Sequence, residues 1–373
     1  MHIAHLIDSL EIGGAQKLLL IFAEEAKARG IKVTVISLTT KFANDSIVAE
    51  LKSLGVRVVF LTIYKLYDPT ALPKLLMVLR KEKIDVMQTH LGHSNILGTM
   101  AGMLIHIPVV ATLHSTHAHR TGRLYRLRAL IGQYSLRFGA RRVIAVGQKI
   151  KEIYLERLTS KTIIDVVPNP VKRIPDLDRN VRQALRQEVA GDSARFLILS
   201  VGRLTPEKGL HDLLNAFAKV RVKHPSVMLI IVGEGEMLEP LKSQAVSLGI
   251  ADDVRFTGSR NDVPGLMSAS DVYVSASYRE GLSLAMLEAM SAGLPILATK
   301  VGDTELLLDE DRGLMISPHD VPALTDDLCY LIENPQKMKE TGGAARQFVD
   351  VNYSPGPWME RLLGIYEQAR NNT

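Results

Sequence analysis

Short apolar runs alternate with amphipathic stretches from one end of the chain to the other. In the first half, HIAHLID, KVTVISL, VRVVFLT, DVMQTH, PVVATLH, RRVIAVG and IIDVVPN read as strands. Several are continuously apolar, as strands buried on both faces of a parallel sheet must be. Between them lie helical patterns such as GAQKLLLIFAEEAKARG, for which Gly30 is the stop signal. The stretch VVPNPVKRIPDLDRN, rich in proline and charge, reads as a linker from about residue 168 to about 193. The alternation then restarts with RFLILSVGR, VMLIIVGEG, VRFTGS, DVYVSAS, LPILATKVGD and GLMISP. The tail WMERLLGIYEQAR is one more helix, with Pro355 and Pro357 before it marking a change of direction. No short-period repeat or low-complexity tract interrupts the pattern.

The expected fold class is therefore α/β, with two doubly wound, Rossmann-like domains. Residues 1–170 form the first and 171–355 the second, and a helix over 356–373 packs back toward the first. In such sheets ligands bind beyond the carboxyl ends of the strands, so two of them facing each other enclose a cleft.

Composition changes this picture little. With 46% hydrophobic and 23% charged residues the chain is an ordinary globular protein. Its single cysteine, Cys329, excludes an internal disulfide and a thiolate metal motif, which fits a reducing compartment. MHIAHLIDSL has no basic leader and carries Asp8, so no signal peptide is expected; GTMAGMLIHIPVVATLH contains His106 and Pro108 and reads as a helix end followed by a strand, not as a membrane span. The cytoplasm is the expected compartment.

Charge is more informative, because the net +5 conceals an asymmetry: residues 1–175 hold 25 Lys and Arg against 12 Asp and Glu, and the remainder 20 against 28. The two halves face different fields.

Candidate chemistry falls at the strand ends. Glu280 and Glu288 bracket the passage from the strand DVYVSAS into an amphipathic helix, with Gly281 and Ser283 between them. Two carboxylates so placed can grip hydroxyl groups on either side of a phosphate held by amides at the helix start, which describes a sugar nucleotide. In LSVGRLTPEKG, Arg203 and Lys208 lie on a loop between a buried strand and a helix beginning near Leu210. Two cations on a Gly-punctuated loop can neutralise a departing diphosphate, although alone the segment could equally be a solvated loop. Gly13 and Gly14 follow the first strand, where bare backbone can approach phosphates or acceptor, or can simply turn; the dinucleotide fingerprint GxGxxG is absent.

These residues carry a family resemblance. VGRLTPEKG, VGEGEML, FTGSRNDV with DVYVSAS, and EGLSLAMLEAMSAGLPILATKVG, together with IGGAQK near the start, resemble the retaining family-4 glycosyltransferases of the GT-B fold. The resemblance implies that Glu280 holds donor-sugar hydroxyls and Glu288 the ribose. Gly281, Leu282 and Ser283 would donate amides to phosphate, with Arg203 and Lys208 on the diphosphate and Arg260 and Asn261 near the base. It places Gly14 on the donor side and Gly13 on the acceptor side. His114 matches the family's active-site histidine, although HSTH replaces the usual His-Asp pair, so His117 shares or takes that role; His90 is expected on the acceptor side. Asp262 reads as an N-cap for the helix opened by Pro264.

The resemblance further implies a nucleotide-sugar donor, UDP-linked in preference to GDP-linked, and a glycan or lipid-linked acceptor in polysaccharide or glycolipid synthesis. No cofactor and no metal are expected, since the two cations serve the diphosphate. Six of the 11 histidines fall between residues 90 and 119, yet His90/His93 and His114/His117 end separate strands without an evident carboxylate companion, which disfavours zinc. The DLD at 176–178 could suggest a metal-binding Asp-x-Asp, but it sits in the linker.

Residues 120–173 hold 13 Lys and Arg against 3 Asp and Glu. There Leu124, Leu127, Leu130, Ile131 and Tyr134 recur at helical spacing among Arg123, Arg126, Arg128 and Arg137. Such a helix either packs its stripe on its own sheet or lies on an anionic membrane surface, and the charge is read as serving membrane or anionic acceptor. A nucleotide-sugar epimerase or a phosphorylase on the same architecture is the rival enzyme. A nucleic-acid-binding protein is the rival from another class, prompted by the isoelectric point of 9.1. An aromatic content of only 5% and the acidic second half argue against nucleic acid as a partner.

Overall fold

A computed structural model describes residues 1–11, 13–40, 44–63, 68–114, 123–158, 162–309 and 311–371, without the side chains of 123–128. The chain divides into two units, Met1–Pro170 with Pro355–Thr373, and Val171–Ser354.

The first unit contains a parallel sheet of seven strands: β1 (His2–Ile7), β2 (Lys32–Ser37), β3 (Arg57–Phe60), β4 (Val86–His90), β5 (Val109–Leu113), β6 (Arg142–Ala145) and β7 (Ile164–Val166). Their order is β3-β2-β1-β4-β5-β6-β7, so the winding reverses between β1 and β4. The second unit repeats the plan with β8 (Phe196–Val201), β9 (Val227–Val232), β10 (Val254–Phe256), β11 (Val272–Ser275), β12 (Ile296–Thr299) and β13 (Leu314–Ile316), ordered β10-β9-β8-β11-β12-β13. Its reversal lies between β8 and β11. All thirteen strands fall within the runs read as strands from the sequence, because a strand covered by helices on both faces is largely apolar; buried exceptions include His2 and His5 on β1 and Gln88, Thr89 and His90 on β4.

Helices cover both faces of each sheet. The final helix, Pro355–Asn371, takes its prolines into its own first turn, where no intrahelical N–H is lost. It buries Trp358, Met359, Leu362 and Tyr366 in the core of the first unit. Phe22 meets the Trp358 ring edge-on at 6.1 Å, and the Tyr366 hydroxyl donates to Gln88 Oε1 on β4. Each large apolar side chain so buried contributes about 1.5 to 3 kcal/mol, so this helix is part of the core and not an appendage.

The expected linker needs correction: Arg179–Ala190 is a helix, opened by Asp178, whose carboxylate accepts from the Asn180 amide. Its sequence is too polar to announce a buried face. The anchor is instead the buried Arg186 guanidinium, which donates to the carbonyls of Ser193, Ala269 and Arg195 and pairs with Asp271 at 2.9 Å. Both acids of the DLD are thereby accounted for: Asp178 caps this helix, and Asp176 pairs with Arg346 at 2.8 Å.

Helix Gly92–Ile105 ends on His106, which takes left-handed backbone before β5. Among the described residues no helix is long and apolar enough to cross a membrane.

Candidate active site

In the second unit the reversal between β8 and β11 brings two loops side by side. Leaving β8, the chain runs through Gly202, Arg203 and the short turn Pro206–Lys208 into helix Leu210–Lys223. Leaving β11, it runs through Ser277 and Glu280 into helix Leu284–Ser291. The loops are stitched together where the Tyr278 amide donates to Glu207 O at 2.7 Å. Gly209 makes the approach tight: its φ is +62°, and a Cβ there would run into the carbonyl of Ala276.

This stitching joins the two motifs. Lys208 Nζ pairs with Glu280 Oε1, and Ser277 Oγ donates to the same oxygen at 3.0 Å. Arg203 is exposed on the same loop as Lys208. Ser283 holds the N-cap of helix Leu284–Ser291 and accepts from Met286 N at 3.4 Å, while Leu282 packs half-buried against the core. Gly281 O accepts from the Asp303 amide at 3.2 Å. Glu288 sits within that helix.

Beneath them lies Tyr273 on β11, 2% exposed. Burial drives its phenol well above the ordinary range, and the charges of Glu280 and Glu288 act in the same direction, opposed by a hydrogen bond with Ser283. Tyr273 therefore lies within electrostatic reach of both carboxylates. Neither it nor Ser277 was picked out from the sequence; the only signal was a polar ring and a hydroxyl in an otherwise apolar strand end.

Arg260 differs from expectation in its company. It makes a two-pronged pair with Asp262, at 2.8 and 2.6 Å, and reaches Glu188 at 2.9 Å. Asp262 does occupy an N-cap position, of helix Val263–Ala269, but its side chain makes no capping bond. Its carboxylate is engaged by the guanidinium, the better donor at that range.

In the first unit, Gly13 is the extended N-cap of helix Gly14–Ala28, and Gly14 is exposed as its first residue. Gln16 ties this turn to Ser9 O at 2.8 Å. His93 has a carboxylate companion after all: Asp8, at the end of β1, accepts from His93 Nδ1 at 3.2 Å and from the Ser94 amide at 2.7 Å. Burial pushes the Asp8 carboxyl up, but the bonds from His93 and Ser94 outweigh it and leave it below the usual range. The sequence hid this pair because the partners lie 85 residues apart.

His114, just past β5, is joined to others as well. Its Nε2 lies 3.0 Å from His90 Nδ1, and His90 Nε2 lies 3.0 Å from Nδ1 of His5 on β1. His90, expected to face an acceptor, is 4% exposed with both ring nitrogens engaged by its histidine neighbours. His117 lies outside the described residues. Burial lowers His114 to about 4 and His5 to about 3, and lowers His90 well below 6.5. Three neutral rings favour the folded unit above pH 6.5; as the pH falls from there toward about 4, the unfolded chain takes up protons that the folded rings refuse. Urea unfolding followed through Trp358, the one tryptophan, should show stability falling as the pH is lowered from 7 to 5. His5→Leu should make that fall shallower; an unchanged slope would contradict the account.

Two parallel sheets, each reversing its winding and each carrying polar side chains at the reversal, define a two-domain α/β protein of the kind that binds nucleotide ligands at strand ends. Residues 181–348 match the family described as Glycosyl transferases group 1, and residues 12–173 match Glycosyltransferase Family 4. An Escherichia coli UDP-Gal:alpha-D-GlcNAc-diphosphoundecaprenol alpha-1,3-galactosyltransferase is 31% identical over 281 residues, covering 72% of this chain and 71% of that protein. An N-acetyl-alpha-D-glucosaminyl L-malate synthase of Bacillus anthracis is 26% identical over 312 residues, covering 82% and 79%. The crystal structure of Anabaena Alr3699/HepE in complex with UDP-glucose superposes with a TM-score of 0.87 over 99% of this chain and 100% of that one, at 23% identity. The chain belongs to the family-4 glycosyltransferases and has the GT-B fold.

Proposed function

We propose that this glycosyltransferase moves a sugar from a nucleotide sugar, a UDP-sugar in preference to a GDP-sugar, to a hydroxyl of a glycan or lipid-linked acceptor, with retention of anomeric configuration. The observation that carries the reading is the Lys208–Glu280 pair, with Ser277 on the same carboxylate oxygen, at the β8/β11 reversal. A diphosphate needs a cation and a sugar needs a carboxylate, and here Lys208 and Glu280 supply one of each in direct contact. Lys208 and Arg203 take the diphosphate, the amides of Gly281, Leu282 and Ser283 and of Gly14 meet its oxygens, Glu280 takes sugar hydroxyls and Glu288 the ribose. Arg260 serves the base end. Gly13 serves the acceptor side, with His114 toward the transferred sugar.

In this reading the acceptor hydroxyl attacks the anomeric carbon from the face the diphosphate leaves. The carbon–oxygen bond to phosphate breaks, and the departing phosphate oxygen takes the hydroxyl proton. Glu280 positions the sugar and meets its developing positive charge. The E. coli enzyme, which by name takes UDP-Gal and a diphosphoundecaprenol-linked acceptor, supports the choice of donor and acceptor; a Corynebacterium glutamicum relative, 24% identical and named a GDP-mannose-dependent phosphatidylinositol monomannoside mannosyltransferase, supports a lipid-linked acceptor with the alternative GDP-linked donor. Glu288→Ala should weaken binding of the free nucleoside diphosphate by roughly tenfold or more, the share of a charge-assisted hydrogen bond pair. Calorimetry reads this directly, and an unchanged Kd would remove Glu288 from the ribose.

A lipid-linked acceptor also accords with helix Arg123–Gly139. Of its predicted stripe Leu130, Ile131 and Tyr134 are 50%, 43% and 58% exposed, and Phe138 is 63% exposed; Leu136 is buried, and the side chains of Leu124 and Leu127 lie outside the described residues. Met103 and Leu104 stand exposed on helix Gly92–Ile105. An apolar face among arginines suits an anionic bilayer surface. Vesicles with anionic lipid should bind the chain and neutral ones should not. Replacing Leu130, Ile131, Tyr134 and Phe138 together by Ser should weaken that binding at least about tenfold, and equal binding to both vesicle types would defeat the membrane reading.

A further inference from the structure

His5, His90 and His114 lie on one diagonal of the first sheet. Ile7 is the register partner of His90, and Thr112 is the register partner of His90 on the other side. Each histidine thus lies two residues further along its strand than the last, which keeps all three side chains on one face and climbs from mid-sheet to its carboxyl edge. The rings are stacked pairwise, with centroids 5.3 Å apart at both steps.

The hydrogen bonds restrict the protons. A neutral imidazole has one N–H and one lone pair, so a neutral His90 must accept from one neighbour and donate to the other. The three tautomers are therefore locked together, and only two arrangements exist: all three rings protonated on Nδ1, or all three on Nε2. The far end decides between them. His5 Nε2 is buried without a hydrogen-bond partner among the described residues, and the His5 ring meets the Phe22 ring in a T-shaped arrangement with centroids 4.2 Å apart. A buried N–H with no acceptor costs more than a buried lone pair with no donor. The Nδ1–H arrangement therefore prevails: His5 donates to His90, His90 donates to His114 Nε2, and His114 keeps its N–H on Nδ1.

We propose that His5 and His90 are positioning residues that hold His114 as a neutral ring with its proton on Nδ1, so that it meets the transferred sugar as a hydrogen-bond donor and not as an acid or base. The inference rests on the role assigned to His114 above. Among the described residues the pocket around the rings is lined by no titratable side chain besides the histidines themselves. The pocket around the rings is lined by apolar side chains with Gln88, Thr112 and Asn169. Gln88 is spoken for, donating to Thr112 Oγ1 at 2.7 Å and accepting from the Tyr366 hydroxyl of the final helix. Asp8 and His93, from the neighbouring β1 end and helix, are paired with each other.

Long-range proton–nitrogen correlation of the histidine rings in the full chain reads the tautomers. The expected result is a proton on Nδ1 and a bare Nε2 in all three, unchanged from pH 8 to pH 5. A proton on Nε2 of His114, or titration of any of the three near 6.5, overturns the inference. Two substitutions add a kinetic arm. His90→Asn keeps an amide donor where Nδ1 faces His114, whereas His90→Gln keeps a polar group only toward His5. The Gln variant should lose roughly tenfold or more in kcat, the effect of one hydrogen bond absent at the reacting centre, and the Asn variant should recover most of it, with binding of the nucleoside diphosphate unchanged in both. Equal losses in the two variants overturn the inference. If the wild-type chain transfers no sugar, the donor reading falls, and the ring tautomers still decide this inference by themselves.

Discussion

Lys208→Ala is expected to lower kcat by roughly 10² to 10³ fold, because under the proposed mechanism it removes the cation set against the charge that develops on the departing diphosphate. A preorganised donor at such a position acts mainly on the transition state, so KM for the donor should move far less than kcat. The same substitution leaves Glu280, only 17% exposed, with Ser277 as its remaining partner. A buried carboxylate that loses its cation is destabilised, so the variant should also melt lower than the wild type, and Lys208→Arg should restore the melting temperature better than it restores kcat. Single-turnover rates with a radiolabelled UDP-sugar separate chemistry from product release. Turnover within a factor of three of wild type would take Lys208 out of the mechanism.

Gly209→Ala is expected to destabilise the second unit severely. The residue has left-handed backbone, and the added Cβ would strike the Ala276 carbonyl and crowd the Tyr278 ring at 3.0 Å. One obstacle is main chain at the end of β11, so neither side can yield without moving Lys208 or Glu280. Left-handed backbone costs about 1 to 2 kcal/mol for alanine, and overpacking adds about 1 to 3 kcal/mol. For a unit of this size the sum lowers the melting temperature by roughly 5 to 15 °C. Gly249→Ala is the control, since Gly249 has φ +68° and nothing within 4 Å of its Cβ. It should show only the backbone share, with full activity. Equal melting temperatures for the two variants would mean that the loop contact carries no weight.

Much of this molecule is legible before any coordinates. Short apolar runs such as VMLIIV read as strands covered on both faces, and thirteen strand-like runs, several of them continuously apolar, in alternation with helices leave little choice of fold. The Glu280 and Lys208 loops are legible for a related reason: charges and glycines directly after a buried strand have no structural use in a core.

The parts that stayed hidden depend on which residues meet across the fold. Helix Arg179–Ala190 presents a polar sequence, and its anchor is a buried arginine satisfied by carbonyls far along the chain. The stripe of Leu130, Ile131 and Tyr134 has a period but no address, and only packing shows that it faces outward. The histidine chain needs the β1, β4 and β5 register before three rings spread over 110 residues become one object. Tyr273 looks like any strand aromatic until Glu280 and Glu288 are seen to lie within its field.

The central claim is that the β8/β11 reversal holds a nucleotide sugar through Lys208, Glu280 and Glu288. Thermal unfolding of the full chain against UDP, GDP, ADP and TDP and their sugars tests it most directly. A ligand present at a hundred times its Kd stabilises the fold by about 2.7 kcal/mol. A UDP-sugar is predicted to raise the transition by several degrees, more than UDP does in Glu288→Ala. Failure of all four nucleoside diphosphates and their sugars to move the transition would contradict the account.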